Sequence, residues 1–374
     1  MFGLTLNIII VSDSARYDFG PSRPPLLLAE RLSLDGFRVF FVSSSIGLFI
    51  RERLMSCGVV PVDLKFRDVF RDASKNMFLL WSFENLFRVL ARKFKICVSR
   101  DVGGSVVLNF SSVAGITADV WYAQGPFFPA FLDMDWRSYP FHYFVLSKYL
   151  LPYVKLLDVK HVRSMKKLSR IIIANSRFTA SMYRDLGIKV DYVIYPPLDT
   201  YLFRPSTNKP SEDYVLTYIG KETDFKVLDA VTKRGVKVYA FGSKEQVLPN
   251  PLKQNSFFHF LGRVSTEELI DLYSNALFTL FPFTHEPFGY IPVESMACGT
   301  PVLTYDKQGP SEVVINGETG WLARSRREIV NLALRIWKKG YSRGIRRNCR
   351  KRALRFDVAK IYSIWKKLLD LLVS

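Results

Sequence analysis

Short apolar runs of strand length alternate with helical stretches through most of the chain, and this alternation restricts the fold more than any other feature. Residues 6–11 and 38–43 are two such runs, and between them Pro24 and Pro25 open a helical stretch that Gly36 stops. Later strand-length runs are expected at 106–110, 120–123, 171–174 and 192–195. A helix with a wide apolar face is expected at 78–94. Because parallel strands need long crossover connections, usually helices, the pattern predicts a mostly parallel, doubly wound α/β sheet.

A polar, proline-containing segment at 205–213 separates this series from a second one. The second series has strand-length runs at 214–219, 236–241, 257–261, 276–281 and 301–304. We therefore expect two doubly wound parallel-sheet (Rossmann-like) domains that face a cleft, with ligands at the carboxyl ends of the strands. The expected boundaries are 1–195 for an N-terminal domain, 196–213 for a linker, 214–355 for a C-terminal domain and 356–374 for a final helix.

The formal net charge of +19 is large for 374 residues, with lysine and arginine concentrated at 88–100, 155–177 and 324–355. Such a balance attracts nucleic acid, an anionic membrane face or phosphorylated substrates, and a merely solvated basic surface is also open. The four cysteines show no CxxC spacing, which argues against a zinc site or a disulfide framework and fits a reducing compartment.

Neither apolar segment that might target a membrane has the expected composition. The run at 6–11 lacks the flanks of a signal peptide and is interpreted as a buried first strand. Residues 139–157 contain Lys148, Lys155, Pro140 and Pro152, whereas a spanning helix needs about 20 predominantly apolar residues. We expect a cytoplasmic protein that is soluble or peripheral to the cytoplasmic membrane face.

The most informative segment is 281–322, FPFTHEPFGYIPVESMACGTPVLTYDKQGPSEVVINGETGWL. A strand ends near Phe281, and a helix starts near Tyr290 and is stopped by Gly299. The free backbone N–H groups at such a helix start form an anion site, and Gly289 permits a close approach of phosphate. Glu294 lies about one turn into the helix, where a carboxylate can accept hydrogen bonds from a diol such as a ribose.

This segment resembles the retaining, GT-B-type glycosyltransferases of family four (glycosyl transferases group 1). Glu286 and Glu294 form the E-x7-E pattern of that family, and GPSEVVINGETGWL resembles its downstream motif. The resemblance implies that Glu286 contacts the donor sugar, that Glu294 bonds the ribose hydroxyls, and that the amides of Phe288 and Gly289 face the phosphates, with Tyr290 beside them. It also implies that the final helix crosses back to the N-terminal domain. For Glu294 alone, a helix-surface or helix-dipole carboxylate is the competing interpretation.

The leaving diphosphate of a nucleotide-sugar needs positive charge or a metal ion. The segment IGKETDFK resembles a family G-R…K motif, with Gly220 in the glycine place, Lys226 in the lysine place and Lys221 in place of arginine. Two exposed lysines on a basic protein are the alternative. Asp133 and Asp135 have D-x-D spacing but lie in the first half among aromatic residues, so no metal is expected.

The residues expected on the acceptor side match the family pattern less closely. The family's glycine-rich loop after the first strand is reduced here to Gly20, with Ser22 and Arg23 as candidate contacts, or as a plain turn and helix start. Gln124 stands where many members have histidine, and glutamine is no base near neutral pH. His285 is a candidate lining residue of the sugar pocket or a structural residue.

The sequence therefore predicts a metal-independent, retaining glycosyltransferase without a cofactor, in which Glu286 and Lys226 carry the chemistry. It would transfer a hexose-type sugar from a UDP- or GDP-sugar to a glycan or lipid-linked glycan, with an anionic membrane surface as a further partner and nucleic acid not expected. The alternatives are a phosphorylase or hydrolase on the same fold, or a non-enzymatic nucleic-acid or membrane-binding protein.

Overall fold

The computed structural model describes residues 6–18, 20–64, 105–133, 141–207 and 209–373. The chain divides into two compact units, each built on one parallel sheet with flanking helices. Unit 1 comprises Met1–Phe131, Pro140–Pro197 and Ile361–Ser374, and unit 2 comprises Leu132–Tyr139 and Leu198–Lys360. The predicted α/β class with two parallel, doubly wound sheets is confirmed.

Within the described residues, unit 1 has a seven-stranded sheet in the order β3-β2-β1-β4-β5-β6-β7. Its strands are β1 (Asn7–Ser12), β2 (Arg38–Ser43), β3 (Val60–Asp63), β4 (Ser105–Asn109), β5 (Ala118–Ala123), β6 (Ser169–Ala174) and β7 (Tyr192–Val193). The helices described between them are α1 (Arg23–Leu34), α2 (Leu48–Ser56), α3 (Phe127–Leu132), α4 (Phe141–Leu168) and α5 (Arg177–Asp185). The prolines at 24 and 25 occupy the first turn of α1, as their fixed φ favours.

The described part of unit 2 has a six-stranded sheet in the order β10-β9-β8-β11-β12-β13. Its strands are β8 (Val215–Tyr218), β9 (Val238–Phe241), β10 (Phe258–Gly262), β11 (Phe278–Phe281), β12 (Val302–Tyr305) and β13 (Gly320–Ala323). Its helices are α6 (Phe225–Thr232), α7 (Asn250–Lys253), α8 (Thr266–Asn275), α9 (Tyr290–Ala297), α10 (Gln308–Val313), α11 (Arg326–Lys339) and α12 (Gly344–Ala353). Ser265 and Glu268 form a capping box at the start of α8.

The last helix, α13 (Val358–Val373), contributes side chains to the core of unit 1. Ile361, Trp365 and two leucines of this helix are buried there, and the Trp365 ring lies 5.4 Å from the Phe110 ring and 5.6 Å from the Tyr122 ring. Lys366 also pairs with Asp35 of unit 1 at 2.6 Å. The end of this chain is therefore part of the unit that its first residues build.

Several expected elements differ in detail or lie elsewhere. The helix expected at 78–94 is outside the described residues. Within the apolar segment 139–157, residues 141–157 form the first part of α4, and no helix in the described part of the chain is both long and apolar enough to cross a membrane. Strand β13 is not among the expected runs, and it extends the sheet beyond β12.

Candidate functional site

The loops after β8 and β11 meet where the strand order of unit 2 reverses. Thr223 and Phe283 form an isolated antiparallel bridge, and the Thr284 N–H donates a hydrogen bond of 2.9 Å to the Glu222 carbonyl. Doubly wound sheets bind their ligands at such a reversal, outside the carboxyl ends of the strands. The structure thus brings together the two segments, 220–226 and 286–294, in which the sequence places donor-binding residues.

The carboxylate of Glu286 occupies the start of α9. Its Oε1 accepts hydrogen bonds from the N–H groups of Phe288, at 3.2 Å, and Gly289, at 3.1 Å. These are the amides expected to face phosphate, so a bound phosphate has to share them with Glu286 or displace it. Gly289 has a φ of +104°, and a Cβ there would lie 3.3 Å from both Pro292 and Pro310, so the turn into the helix requires glycine.

The ionisation of Glu286 is shifted toward neutral pH. Burial of the carboxyl group raises its pKa to about 7, and the nearby Glu222 carboxylate adds to this rise. The hydrogen bond from Phe288 and the neighbouring His285 oppose it. Glu286 can therefore change between its acid and carboxylate forms near neutral pH, which is typical of residues at functional sites.

Glu294 is buried, with only 3% of its surface exposed. It lies in α9, and its Oε2 accepts a hydrogen bond of 3.1 Å from the Tyr273 hydroxyl of α8. The interpretation of Glu294 as a helix-surface carboxylate is therefore wrong. A buried carboxylate is costly without hydrogen-bonding partners, which makes this residue more than a solvated charge.

The cationic candidates lie in the loop after β8 and in the first turn of the helix that follows it. Lys221 Nζ lies 3.3 Å from Glu222 Oε1, and Lys226 is an exposed residue in the first turn of α6. Gly220 is buried, its N–H donates to Thr223 Oγ1 at 2.9 Å, and a Cβ there would lie 3.1 Å from the Phe283 ring. Glycine at 220 thus permits the loops after β8 and β11 to pack closely.

Two further cations were missed from the sequence: Lys244, which lies near Lys221, and Arg263, which lies near Lys244. Lys244 follows β9 and Arg263 follows β10, the next two strands of the sheet. Burial lowers the pKa of Lys244, and the positive charges of Lys221 and Arg263 lower it further. A basic residue just after each of three neighbouring parallel strands is a signal the sequence contained, because the carboxyl ends of such strands share one edge of the sheet.

A second set of polar residues surrounds the Glu286 loop. His285 is 5% exposed, and its Nδ1 lies 2.8 Å from Asp133 Oδ2. Gln308 Nε2 donates to the same Asp133 oxygen at 3.0 Å, while Gln308 Oε1 accepts from the Glu286 N–H at 2.8 Å. Asp135 is outside the described residues. Within the described ranges, no three His, Cys, Asp or Glu side chains lie close enough together to hold a metal ion.

In unit 1 the acceptor-side candidates lie at one turn. The Ser22 hydroxyl is buried and donates to the Tyr17 carbonyl at 2.8 Å, and Arg23 pairs with Asp18 at 3.0 Å. Gln124 Nε2 donates to the Pro21 carbonyl at 3.1 Å, which brings Gln124 to the turn that contains Gly20. These contacts favour a structural role for Ser22 in holding the turn.

The family model of the glycosyl transferases group 1 matches residues 205–355. Glycogen synthase of Mycobacterium tuberculosis is 36% identical over 77 residues, which is 21% of this chain and 18% of that protein. D-inositol 3-phosphate glycosyltransferase of Gordonia bronchialis is 27% identical over 188 residues, or 41% of each chain. The chain thus spans less than half the length of these curated relatives.

Solved structures resemble the chain over nearly its full length. Anabaena Alr3699/HepE, in complex with UDP and glucose, has a TM-score of 0.66 at 15% identity and covers 97% of this chain and 99% of that chain. Sucrose-phosphate synthase from Thermosynechococcus elongatus has a TM-score of 0.65 at 17% identity, covering 98% and 99%. At these identities the likeness establishes the fold, which is of the GT-B type.

Proposed function

We propose, on the premise that residues 205–355 belong to the glycosyl transferases group 1, that this chain is a retaining glycosyltransferase that uses a nucleotide-sugar donor. The observation that carries the proposal is the arrangement at the strand-order reversal of unit 2. Glu286, Glu294 and a group of cations follow neighbouring strands there. These are the groups that a donor requires: Glu286 for the sugar, Glu294 for the ribose and the cations for the diphosphate. The UDP bound in the Anabaena relative is consistent with this class of donor.

Each part of the donor has a partner in this arrangement. The buried Glu294 carboxylate accepts hydrogen bonds from the ribose hydroxyls, and the amides of Phe288 and Gly289 approach the phosphates from the start of α9, beside Tyr290. When the phosphates take these amides, the Glu286 carboxylate is released to the hydroxyl groups of a hexose-type sugar.

Transfer depends on stabilising the diphosphate as it leaves. The C1–O bond to the diphosphate breaks while the acceptor oxygen bonds to C1 from the same face, and the acceptor proton passes to the leaving phosphate. Lys221 and Lys226 stabilise the charge that develops on the phosphate, so that no metal ion is required. Because glutamine cannot accept the proton at neutral pH, Gln124 serves to orient the acceptor.

The acceptor is proposed to be a glycan or a lipid-linked glycan on an anionic, cytoplasmic membrane face. One face of α4 carries exposed Tyr149, Tyr153 and Leu156, which are 79%, 55% and 62% exposed. The same helical face continues with the exposed cations Lys160, Arg163 and Lys167. An apolar stripe followed by a basic one is the pattern of a helix that lies on anionic lipid.

A donor panel tests the proposed activity. The purified protein is incubated with UDP-glucose, UDP-galactose, UDP-N-acetylglucosamine and GDP-mannose, with release of the nucleoside diphosphate as the readout. At least one donor should be consumed, and UDP or GDP should bind in calorimetry. Activity that instead needs inorganic phosphate and no nucleotide would identify a phosphorylase, and failure to bind any nucleotide would reject the proposal.

A further inference from the structure

Gln308 has a backbone conformation that its residue type rarely adopts. Its φ is +62°, in the left-handed region that favours glycine, and it is the first residue of α10. In the described part of the chain the other non-glycine residue with positive φ is Glu212. Strained positions of this kind persist when the surrounding contacts hold them, and they are concentrated at functional sites.

The contacts of Gln308 converge on the backbone around Glu286. Its Oε1 accepts from the Glu286 N–H at 2.8 Å, and its Nε2 donates to the Thr284 carbonyl at 3.0 Å. The next residue, Gly309, donates its N–H to the Glu286 carbonyl at 3.1 Å. A Cβ on Gly309 would lie 2.4 Å from the Pro287 carbonyl oxygen, so glycine is needed for this approach. Both ends of the Glu286 residue are therefore held by 308–309.

Asp133 joins this arrangement from a distant part of the sequence. Its Oδ2 accepts from Gln308 Nε2 at 3.0 Å and from His285 Nδ1 at 2.8 Å. The imidazole that it holds is buried and directly precedes Glu286. One oxygen of Asp133 thus links the His285 and Gln308 side chains. A shift of Gln308 would therefore move the His285 ring and the Glu286 backbone together.

We propose that Gln308 and the Asp133–His285 pair are positioning residues, which fix the Glu286 loop so that the Glu286 carboxylate meets the donor sugar in one orientation. The proposal rests on the proposed function, since it assumes that Glu286 contacts the sugar. It explains why a glutamine is kept where glycine would be unstrained: glycine at 308 would relax the backbone but remove the three side-chain hydrogen bonds. It also gives Asp133 a role that does not involve a metal.

The first experiment compares Gln308→Gly with the matched control Glu212→Gly. Both changes relieve a positive φ and remove side-chain hydrogen bonds, because Glu212 accepts from Arg346 at 2.8 Å. We expect Gln308→Gly to lower kcat at least tenfold on the panel donor that the wild type consumes fastest, with the Kd for UDP or GDP changed less than twofold. Glu212→Gly should keep kcat within twofold. An unchanged kcat in Gln308→Gly, or equal kcat losses in both variants with parallel losses of Tm, overturns the proposal.

The second experiment exchanges charge between the two partners. Gln308→Glu brings a second carboxylate against Asp133 and should lower kcat, whereas adding Asp133→Asn restores the original charge and one amide between the two side chains. The double variant should have a kcat at least threefold higher than that of Gln308→Glu alone. If it is no faster than the slower single variant, Gln308 and Asp133 do not act through each other and the proposal is wrong.

Hydrogen–deuterium exchange separates this proposal from the proposed function, because it needs no substrate. In the protein alone, Gln308→Gly should speed exchange of the amides at 284–289 at least fivefold, and Glu212→Gly should leave them unchanged. Unchanged exchange overturns the positioning role even if the wild type is an active transferase. If Gln308→Gly exchanges faster but the wild type consumes no donor, the result supports the positioning role of Gln308 and rejects the proposed activity.

Discussion

The Tyr273 hydroxyl donates a hydrogen bond of 3.1 Å to Glu294 Oε2, inside unit 2. This bond fixes one oxygen of a buried carboxylate at the site where the nucleoside is proposed to bind. We predict that Glu294→Gln weakens UDP or GDP binding by about 1.5–3 kcal/mol, since the ribose hydroxyls lose the charged carboxylate that accepts their hydrogen bonds. Isothermal titration measures the change, with Tyr273→Phe as a control that keeps the carboxylate. Equal affinities in Glu294→Gln and wild type would exclude the ribose role.

The raised pKa of Glu286 predicts a pH-dependent stability. The native group, with a pKa of about 7 against an ordinary value of 4.5, holds its proton more tightly than the unfolded group. The unfolding free energy therefore falls as pH rises from about 4.5 to about 7, by about 3 kcal/mol at most. Glu286→Gln removes this dependence, so urea unfolding should show the variant gaining on wild type from pH 5 to pH 8. A stability difference that stays constant over this interval would contradict the shift.

Removal of the Lys226 charge should affect rate more than binding. The positive charge matters most as the diphosphate leaves, so Lys226→Ala should lower kcat about tenfold or more while the donor KM changes little. Lys233→Ala is the matched control, because Lys233 is an exposed lysine just beyond the end of the same helix and pairs with Asp229 at 2.7 Å. A KM increase at constant kcat would assign Lys226 to ground-state binding.

Chelation should leave turnover intact. If the cations at 221 and 226 replace a metal ion, incubation with EDTA followed by the donor assay should give the wild-type rate. A heat-treated sample serves as the blank. Loss of activity that Mg²⁺ or Mn²⁺ restores would show that a metal takes part and would require a new assignment of Asp133 and Asp135.

Membrane docking predicts flotation with anionic vesicles. In low salt, the wild type should rise with phosphatidylglycerol-containing liposomes, and serine substitutions at Tyr149, Tyr153 and Leu156 should reduce the floating fraction. Neutralising Lys160, Arg163 and Lys167 should do the same, since each is worth about 1 kcal/mol near such a surface. Tyr201→Ser, at a tyrosine that is 77% exposed in unit 2, is the control. A wild type that stays at the bottom of the gradient would favour a soluble glycan acceptor.

The alternation of strands and helices was readable because buried parallel strands are continuous apolar runs. The run at 38–43 coincides with β2, and helix α9 starts at Tyr290 as expected. Strand β13 was missed, since Gly320 and Trp321 do not form such a run and their strand character comes from pairing with β12. The length of β7 was overestimated, because the apolar run at 192–195 continues past Val193, where the strand ends.

The site was predictable where one contiguous segment contains it. Glu286, Gly289 and Glu294 lie within nine residues, and local helix-start physics was enough to relate them. The contacts of Asp133 with His285 and Gln308 span more than 150 residues and arise only from tertiary packing. Likewise, Lys244 becomes a neighbour of both Lys221 and Arg263 through the order of strands in the sheet, which periodicity does not specify.

The return of α13 to unit 1 has a consequence for synthesis on the ribosome. Leu198 and Asp357 form a parallel bridge, so the chain enters and leaves the main part of unit 2 side by side, and this part, Leu198–Lys360, is an insertion within unit 1. The nascent polypeptide therefore completes the inserted unit before it supplies Trp365, which packs on Phe110. Until then the emerging first unit exposes an aromatic surface while residues 198–360 are translated, and protection by chaperones is most needed in that interval.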